Sequence, residues 1–267
     1  MLKSIQIKME RDGAIMKKQN QVTPFGPSEE ETQAYKNLVN LFRQCPIPDD
    51  EILKDMLLFL TRSSLGHILF IDSLYRQILN LPGCIMEFGV RWGRNLSLFT
   101  SLRSLYEPYN MSRKIIGFDT FEGFPSVSKQ DGKHDLIAEG SMSVTEDYEV
   151  YLKNLLLQQQ HLGPRSHIER FELVKGDAAI TLAAYLDTHP ETVCALAYFD
   201  FDIYDPTKKC LDLIQQVITK GSILVFDQFT LEVFQGETIA VKEVLGLENH
   251  RFHKDPRVPY AAYVIIE

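Results

Sequence analysis

Cysteine is scarce in this chain of 267 residues, and the cysteines that it has lie far apart. The sequence therefore contains no CxxC pair of the kind that binds zinc or forms a redox site. Two of the cysteines fall inside apolar strand patterns, which indicates buried thiols and a reducing, cytoplasmic compartment. The four cysteines are Cys45, Cys84, Cys194 and Cys210.

Long apolar runs and an excess of positive charge are also absent. No run approaches the roughly 18 apolar residues of a membrane-spanning helix. Residues 1–8 lack the apolar segment that signal peptides carry. The net charge is −8, whereas a nucleic-acid-binding protein usually presents a basic face. We therefore expect a protein that is not secreted, does not span a membrane and does not bind nucleic acid.

Apolar segments alternate with helical patterns through the chain after residue 80. These segments are nearly continuous in their apolar character, which is typical of parallel strands buried on both faces. The repeated alternation predicts an α/β fold built on a doubly wound, largely parallel sheet. The predicted strands lie at residues 84–88, 114–119, 170–177, 193–202, 221–228 and 260–266.

The first 80 residues differ from the rest. Residues 1–30 are polar and interrupted by Gly and Pro, which indicates a loose arm. Helical patterns follow, and the first begins with a capping box at Ser28 and Glu31. We predict an arm and a helical cap over 1–80 and a ligand-binding domain over 81–267. Because loose arms are often exchanged between subunits, we also expect a homo-oligomer.

A polar segment at residues 126–147 interrupts the second domain. It is too long for an ordinary connection between a strand and a helix, and segments of this length commonly form functional lids. We therefore predict a lid insertion over this range.

The first central strand is followed by a glycine turn whose spacing is GxxxG, at Gly89 and Gly93. A dinucleotide site carries GxGxxG instead, because the pyrophosphate needs close approach to a bare backbone. This turn carries Arg91 and Trp92, which argues against NAD. A nucleoside ligand without phosphates would tolerate such a turn.

Acidic residues follow the ends of five predicted strands. In an open α/β sheet these ends meet at one edge, where ligands bind. So much negative charge in one cleft costs free energy unless a cation neutralises it. The sequence therefore predicts at least one cation in the site. The acids are Glu87, Asp119, Asp177, Asp200 with Asp202, and Asp227.

Two kinds of cation fit this pattern. One is a metal: Asp200, Asp227 and Gln228 offer only oxygen ligands, which suit Mg²⁺ or Ca²⁺ rather than zinc. The other is a cationic nucleoside such as S-adenosylmethionine. Asp119 would then accept from its ribose hydroxyls, and Glu87 would accept from its ammonium group.

Three segments resemble the macrocin O-methyltransferase (TylF-like) family. They are MEFGV at 86–90, GFDTFEGFP at 117–125 and DFDIYDPT at 200–207. GETIA at 236–240 and the C-terminal part look closest to members that act on deoxyhexoses. The resemblance covers roughly residues 80 to 235. It implies a Rossmann-like class I methyltransferase sheet with an antiparallel C-terminal strand, S-adenosylmethionine as cofactor, and a divalent metal such as Mg²⁺.

The resemblance also implies roles for individual residues. Asp200 would be a metal ligand and Asp202 the general base, with Asp227 and Gln228 as the other two metal ligands. The family usually has an acid where this chain has Gln228. The cofactor would be bound by Glu87, Phe88, Gly89, Arg91, Asn95, Asp119, Thr120, Phe121, Gly176, Asp177 and Asp200.

Alternatives to Asp202 as base are His134, in the predicted lid, and His253, near the C-terminus. Each is more commonly a surface histidine. Asp202 itself has structural alternatives, because it could cap the helix near Pro206 or pair with Lys208 or Lys209. Its spacing favours the role of base instead. Residues two apart on a strand face the same way, and Asp202 lies two residues beyond Asp200.

The sequence therefore predicts a metal-assisted O-methyltransferase that acts on a hydroxyl of a (deoxy)sugar, in a glycosylated natural product or a nucleotide sugar. One rival is an NAD-type oxidoreductase on a similar sheet, against which the missing GxGxxG counts. The other rival is a non-catalytic scaffold with the same fold, which the departure at Gln228 allows.

Overall fold

The structure is a computed structural model that describes residues 27–267. The predicted arm, up to residue 26, lies outside the described residues. The chain divides into two compact units, one ending at Leu65 and the other spanning Gly66–Glu267. The predicted boundary between residues 80 and 81 stays a prediction.

The first unit is helical. Its helix α1 begins after Ser28, whose side chain accepts from the Glu31 backbone while the Glu31 carboxylate accepts from the Ser28 backbone. This confirms the predicted capping box. The elements are α1 (Glu29–Arg43), α2 (Asp49–Ile52) and a 3₁₀ turn (Met56–Phe59). Helix α3 (Arg62–Gln77) begins in this unit and runs into the second.

The second unit is built on a seven-stranded sheet in the order β3-β2-β1-β4-β5-β7-β6. Strands β1 to β5 pair in parallel, and β7 pairs antiparallel with β5 and β6. This confirms the predicted doubly wound sheet and its antiparallel C-terminal strand. The strands are β1 (Cys84–Phe88), β2 (Ile115–Asp119), β3 (Phe171–Lys175), β4 (Cys194–Phe199), β5 (Ile218–Phe226), β6 (Phe252–Asp255) and β7 (Val258–Ile265).

Strand β6 is an addition to the prediction. Its sequence, FHKD, is mostly polar, and it forms one of the two edges of the sheet. An edge strand has one pairing partner and is partly exposed, so it lacks the apolar pattern that revealed the central strands.

Helices cover both faces of the sheet. Besides α3, they are α4 (Arg94–Tyr106), α5 (Tyr148–His161), α6 (Ala178–Thr188), α7 (Tyr204–Ile214) and α8 (Gln235–Val244). Apolar residues of α3, α4 and α5 pack on one face, and those of α6, α7 and α8 pack on the other.

A row of phenylalanine rings runs across the carboxyl ends of four adjacent strands. Phe88 stacks between Phe118 and Phe199, with ring centroids 5.2 and 4.8 Å away, and Phe199 stacks on Phe226 at 5.5 Å. These residues are also register partners across β2, β1, β4 and β5. The four strands therefore end at one level, and the acids that follow them emerge together.

Candidate active site

The turn after β1 lies directly against the end of β4. Gly89 has φ of 93°, and a Cβ built on it would lie 2.1 Å from the Asp200 carbonyl oxygen. No side chain fits there, so glycine is required both by the backbone conformation and by the close approach. The turn and the Asp200 segment thereby form one wall of the site.

Glu87, near the end of β1, is a buried acid with an unused oxygen. It is 1% exposed, and its Oε2 has no hydrogen-bond partner. Burial raises its pKa well above the usual range, although a hydrogen bond with the Asn95 side chain acts in the opposite direction. A buried oxygen without a donor is suited to an ammonium or hydroxyl group of a ligand.

His67 is a member of the site that the sequence did not reveal. Its Nε2 lies 2.6 Å from Asn95 Oδ1 and, because that oxygen can only accept, the imidazole donates. The amide nitrogen of Asn95 is thereby left for Glu87. Burial lowers the pKa of His67, with the nearby Arg94 acting in the same direction. An apolar helix pattern around His67 suggests a core residue, and only the packing of α3 against β1 and α4 places it here.

Asp119, at the end of β2, organises the neighbouring turns. Its carboxylate accepts from the backbone N–H of Arg91 at 2.7 Å and of Phe121 at 2.5 Å. Burial raises its pKa, whereas these backbone donors and the Arg91 charge lower it. Arg91 has φ of 48° and Phe121 has φ of 58°, both left-handed. Thr120 continues this turn by donating from Oγ1 to the Gly123 carbonyl.

The predicted pair Gly176 and Asp177 follows β3. The Gly176 N–H donates to the Asp119 carbonyl at 2.9 Å, so this corner lies beside the end of β2. Asp177 is the N-cap of α6, where its carboxylate accepts from the Ala179 N–H at 2.9 Å. Its side chain is therefore engaged in a helix cap.

Three further predicted residues lie at the ends of β4 and β5. Asp200 is partly buried, and burial together with the charges of Asp227 and Asp202 raises its pKa well above the usual range. Asp227 accepts a hydrogen bond from the Tyr198 hydroxyl, and its Oδ2 lies 3.3 Å from Nε2 of Gln228. The structure thus brings the predicted metal ligands to one place.

Asp202 lies in the same cluster, but not for the predicted reason. Strand β4 ends at Phe199, and Asp202 has φ of 64°, so the two-residue spacing of an extended strand does not apply. The side chain is 8% exposed and its Oδ1 has no partner. Burial and then Asp227 raise its pKa to about 7, while Arg91 acts in the opposite direction.

The structural alternatives for Asp202 are met by other residues. Lys208 pairs with Glu243, with 2.6 Å between Nζ and Oε2. The first N–H of α7, at Tyr204, donates at 2.6 Å to the carboxylate of Asp131. Asp202 is therefore needed neither as the cap of α7 nor as the partner of Lys208, and its Oδ1 has no hydrogen-bond partner.

Asp131 attaches the predicted lid to the sheet domain. One of its oxygens accepts from Tyr204, and the other accepts from the backbone and side chain of Ser128. A Cβ at Gly236 would lie 2.1 Å from the Asp131 oxygen, so glycine is needed for this approach. Tyr204 lies two residues after Asp202, so its hydrogen bond to Asp131 helps to fix the conformation of the Asp202 segment.

The two candidate histidines are placed differently from the acids. His134 lies in the predicted lid, where its Nδ1 accepts from the Leu136 N–H at 3.2 Å. His253 lies on the edge strand β6 and stacks on Tyr263, with 5.1 Å between ring centroids. Two strands, β5 and β7, separate β6 from β4.

Glu237, on α8, is a further acid that was not among the predicted site residues. It is 0% exposed; Oε1 accepts from the Gln228 N–H at 2.9 Å, and Oε2 has no partner. Burial, then Asp202 and Asp227, raise its pKa well above the usual range. Glu237 lies in the GETIA segment of the family resemblance, but a helical Glu gives no sign of burial in the sequence.

The chemistry of this cluster fits a divalent cation. Burial and the charges of neighbouring acids raise the pKa values of Asp200, Asp202 and Glu237. Asp202 and Glu237 each have a buried oxygen without a hydrogen-bond partner. Oxygen donors of this kind suit Mg²⁺. In residues 27–267, however, no three His, Cys, Asp or Glu side chains are arranged so that they could already hold a metal ion.

Comparison with known proteins adds to this geometry. No family model and no curated protein matches the chain. Among solved structures, the calicheamicin methyltransferase CalS11 is 43% identical, with a TM-score of 0.87 over 90% of this chain and 93% of that one. The apo structure of CalS11, described as a TDP-rhamnose 3'-O-methyltransferase, is 41% identical with a TM-score of 0.79, over 90% and 95%. The chain belongs to the sugar O-methyltransferase family.

Membership of the sugar O-methyltransferases confirms the predicted fold and the predicted enzyme class, an S-adenosylmethionine-dependent O-methyltransferase. The O-methyltransferase NovP shares the fold at 16% identity, with a TM-score of 0.55 over 75% of this chain and 79% of that one. Within the described part of this sugar O-methyltransferase, no helix is long and apolar enough to cross a membrane.

Proposed function

We propose that this enzyme transfers the methyl group of S-adenosylmethionine to a hydroxyl of a (deoxy)sugar, in a nucleotide sugar or a glycosylated natural product, with the help of a divalent cation. The observation that carries this proposal is the cluster of buried and partly buried carboxylates at the ends of β4 and β5, next to the acids that end β1 and β2. The carboxylates after β4 and β5 suit a hydroxyl acceptor and a cation, and the acids of β1 and β2 suit a nucleoside.

Two acids, Glu87 and Asp119, support the proposed binding of S-adenosylmethionine. Glu87 has a buried oxygen without a donor, which an ammonium group would supply. Asp119 lies one strand away, where ribose hydroxyls would complete its hydrogen bonds. Side chains or backbone of the other predicted residues, from Phe88 to Asp177, form the turns around these acids.

The cation would be held by Asp200 and Asp227, with the amide oxygen of Gln228 as a neutral donor. When bound, such a cation supplies positive charge that lowers the pKa of a nearby hydroxyl. It would also remove the repulsion among carboxylates that raises the pKa of Asp200 and Asp202.

Asp202 is proposed as the general base. Its free Oδ1 would take the hydroxyl proton as the sugar oxygen attacks the methyl carbon. The bond from that carbon to sulfur breaks, and S-adenosylhomocysteine leaves. Burial is the larger cause of the raised pKa of Asp202, does not depend on the cation, and favours uptake of the hydroxyl proton. Much of the remaining rate would come from alignment of the oxygen with the methyl group.

The experiment is a methyl-transfer screen with labelled S-adenosylmethionine, run with Mg²⁺ and with excess chelator. Acceptors should include nucleotide deoxysugars, glycosylated natural products and simple phenols. We expect transfer to a sugar acceptor and loss of turnover on chelation. Transfer only to phenols would contradict the sugar assignment, and full activity in chelator would contradict the metal role.

The two rival functions predict different outcomes. Calorimetric titration with NAD and with S-adenosylmethionine separates an oxidoreductase from a methyltransferase, because each would bind one ligand only. A scaffold would bind S-adenosylmethionine but show no turnover with any sugar in the screen.

We also propose that the enzyme works as a homo-oligomer in a reducing, cytoplasmic compartment. The free thiols of Cys84, Cys194 and Cys210 are buried, which suits such a compartment. Sedimentation at several protein concentrations would test the assembly, and a monomer at all of them would contradict it.

A further inference from the structure

Glu237 is a fully buried carboxylate that the proposed reaction does not yet use. Burying a charged carboxylate without a paired charge is costly, so proteins retain one where it is neutralised by a partner or a metal. One oxygen of Glu237 accepts from the Gln228 N–H, and the other has no partner. The protein thus keeps an unpaired acid oxygen in its interior.

The surroundings of Glu237 point to a cation rather than to a protein partner. The charges that act on its carboxyl are those of Asp202 and Asp227, and its own charge acts on Asp200. All of these are negative. A group that neutralises this set must therefore be positive and must accept several oxygen donors, as a divalent cation does.

Glu237 also lies where a charge is missing. Next to Asp227, position 228 offers the cleft an uncharged amide. The carboxylate of Glu237 reaches the backbone of that same residue from α8, at 2.9 Å. It can therefore return a negative charge to the place where Gln228 lacks one.

We infer that Glu237 is a cation-binding residue of this site and supplies the carboxylate that Gln228 does not. The inference rests on the metal dependence in the proposed function. Because Asp227 is engaged by the Tyr198 hydroxyl as described, cation binding is expected to draw its carboxylate away from that hydroxyl.

The test is a titration of the enzyme with Mn²⁺, in which electron paramagnetic resonance measures the bound ion and no sugar acceptor is present. Glu237→Gln keeps the size of the side chain and its acceptor for the Gln228 N–H, but removes the charge. We expect Mn²⁺ affinity to fall about tenfold or more, with S-adenosylmethionine affinity within about twofold. The double variant Glu237→Gln with Gln228→Glu should regain most of the lost affinity.

A matched control is Glu243→Gln, which removes an exposed acid of the same helix that pairs with Lys208. It should leave Mn²⁺ affinity unchanged. Equal Mn²⁺ affinity in the wild type and Glu237→Gln would overturn the inference and leave the proposed function standing. Absence of Mn²⁺ binding by the wild type would instead overturn the metal part of the proposed function, and the inference with it.

A second measurement does not depend on the folding of any variant. Crystals of the wild type soaked in Mn²⁺ would locate the ion by its anomalous scattering. We expect a Glu237 oxygen at about 2.0–2.6 Å from the ion, the range of metal–oxygen bonds. An ion bound to Asp200 and Asp227 with Glu237 out of reach would overturn the inference.

Discussion

Asp202 differs from an ordinary surface acid in its backbone and in its surroundings. A left-handed conformation at a residue other than glycine carries a cost on the order of 1 kcal/mol, which the packing around it must offset. Its Oδ1 is buried and unpartnered, and the structural roles open to it are taken by Asp131 and Glu243. These features favour a role for Asp202 in the reaction over a role in stabilising the fold.

Asp202→Asn should therefore lower kcat while leaving binding intact. The amide keeps the size of the side chain but cannot take a proton, and general-base catalysis is typically worth about 10²–10⁴-fold in rate. We expect a loss of that order, with S-adenosylmethionine and Mg²⁺ affinities nearly unchanged by calorimetry. A variant within about threefold of the wild type from about pH 6 to pH 9 would reject Asp202 as base and favour His134 or His253.

Asp119→Ala should weaken S-adenosylmethionine binding by about 1.5–3 kcal/mol, the usual loss for a hydrogen bond to a charged group. Calorimetry measures the change. Because Asp119 also accepts from the Arg91 and Phe121 backbones, Asp119→Asn is needed to separate charge from support of the turns. Glu122→Gln is the control for a nearby exposed charge, and should have no effect. Unchanged affinity in Asp119→Ala would remove this residue from the cofactor site.

At the scale of elements, the site depends on contacts between segments that are distant in sequence. The turn after β1 is packed against the segment after β4 through Gly89, and the predicted lid is attached to α7 through Asp131. Helix α3 supplies His67 to the amide of Asn95 on α4. Each contact fixes a loop that carries a candidate site residue.

Loss of the lid anchor should loosen both the lid and the Asp202 segment. Asp131→Ala removes a buried carboxylate that accepts three hydrogen bonds, two from Ser128 and one from Tyr204. We expect the free energy of unfolding to fall by about 1.5–3 kcal/mol. Hydrogen exchange should accelerate over 126–147 and 202–204, and kcat should fall with it.

Asp135→Ala, which removes an exposed acid of the same lid, is the matched control and should change neither property. Unaltered exchange at residues 202–204 in the Asp131→Ala variant would show that the lid does not support the candidate base.

At the scale of the whole molecule, the carboxylate cluster makes stability depend on pH. The pKa values of Asp200, Asp202 and Glu237 are raised in the folded state, that of Asp202 to about 7, whereas unfolded carboxyls titrate near about 4. Between these values the folded protein holds more protons than the unfolded chain. Its stability must therefore fall as pH rises through this window.

The cofactor-free and metal-free enzyme should accordingly be less stable at about pH 8 than at about pH 5.5, by on the order of a few kcal/mol. His67 acts in the opposite direction. Because its pKa is lowered in the folded state, its contribution to stability is present above the pKa of an unfolded histidine and is lost as the pH falls below it. Urea denaturation at each pH measures the difference. Mg²⁺ should restore stability at the higher pH, and Glu237→Gln should flatten the profile.

A profile that is the same in the wild type and in Glu237→Gln would show that this cluster does not govern the pH dependence. Stability that rises steadily from about pH 5 to pH 8 would lead to the same conclusion, since it would require carboxyls with lowered rather than raised pKa values.

The sequence alone determined the fold class and the edge of the sheet where the site lies. Buried parallel strands appear as nearly continuous apolar runs, and the acids follow those runs directly, so both can be read along the chain. The missing GxGxxG excluded a dinucleotide turn, and the short motifs indicated the sugar O-methyltransferase family that comparison then confirmed.

Only the tertiary structure decided which side chains share the site and which are occupied elsewhere. Glu237 and His67 come from helices whose local patterns look ordinary, and Asp177 is taken up by a helix cap. Asp202 reaches the cluster through a left-handed turn and not through an extended strand. Burial, hydrogen-bond partners and mutual repulsion of charges arise between segments far apart in sequence, so they depend on packing and not on local pattern.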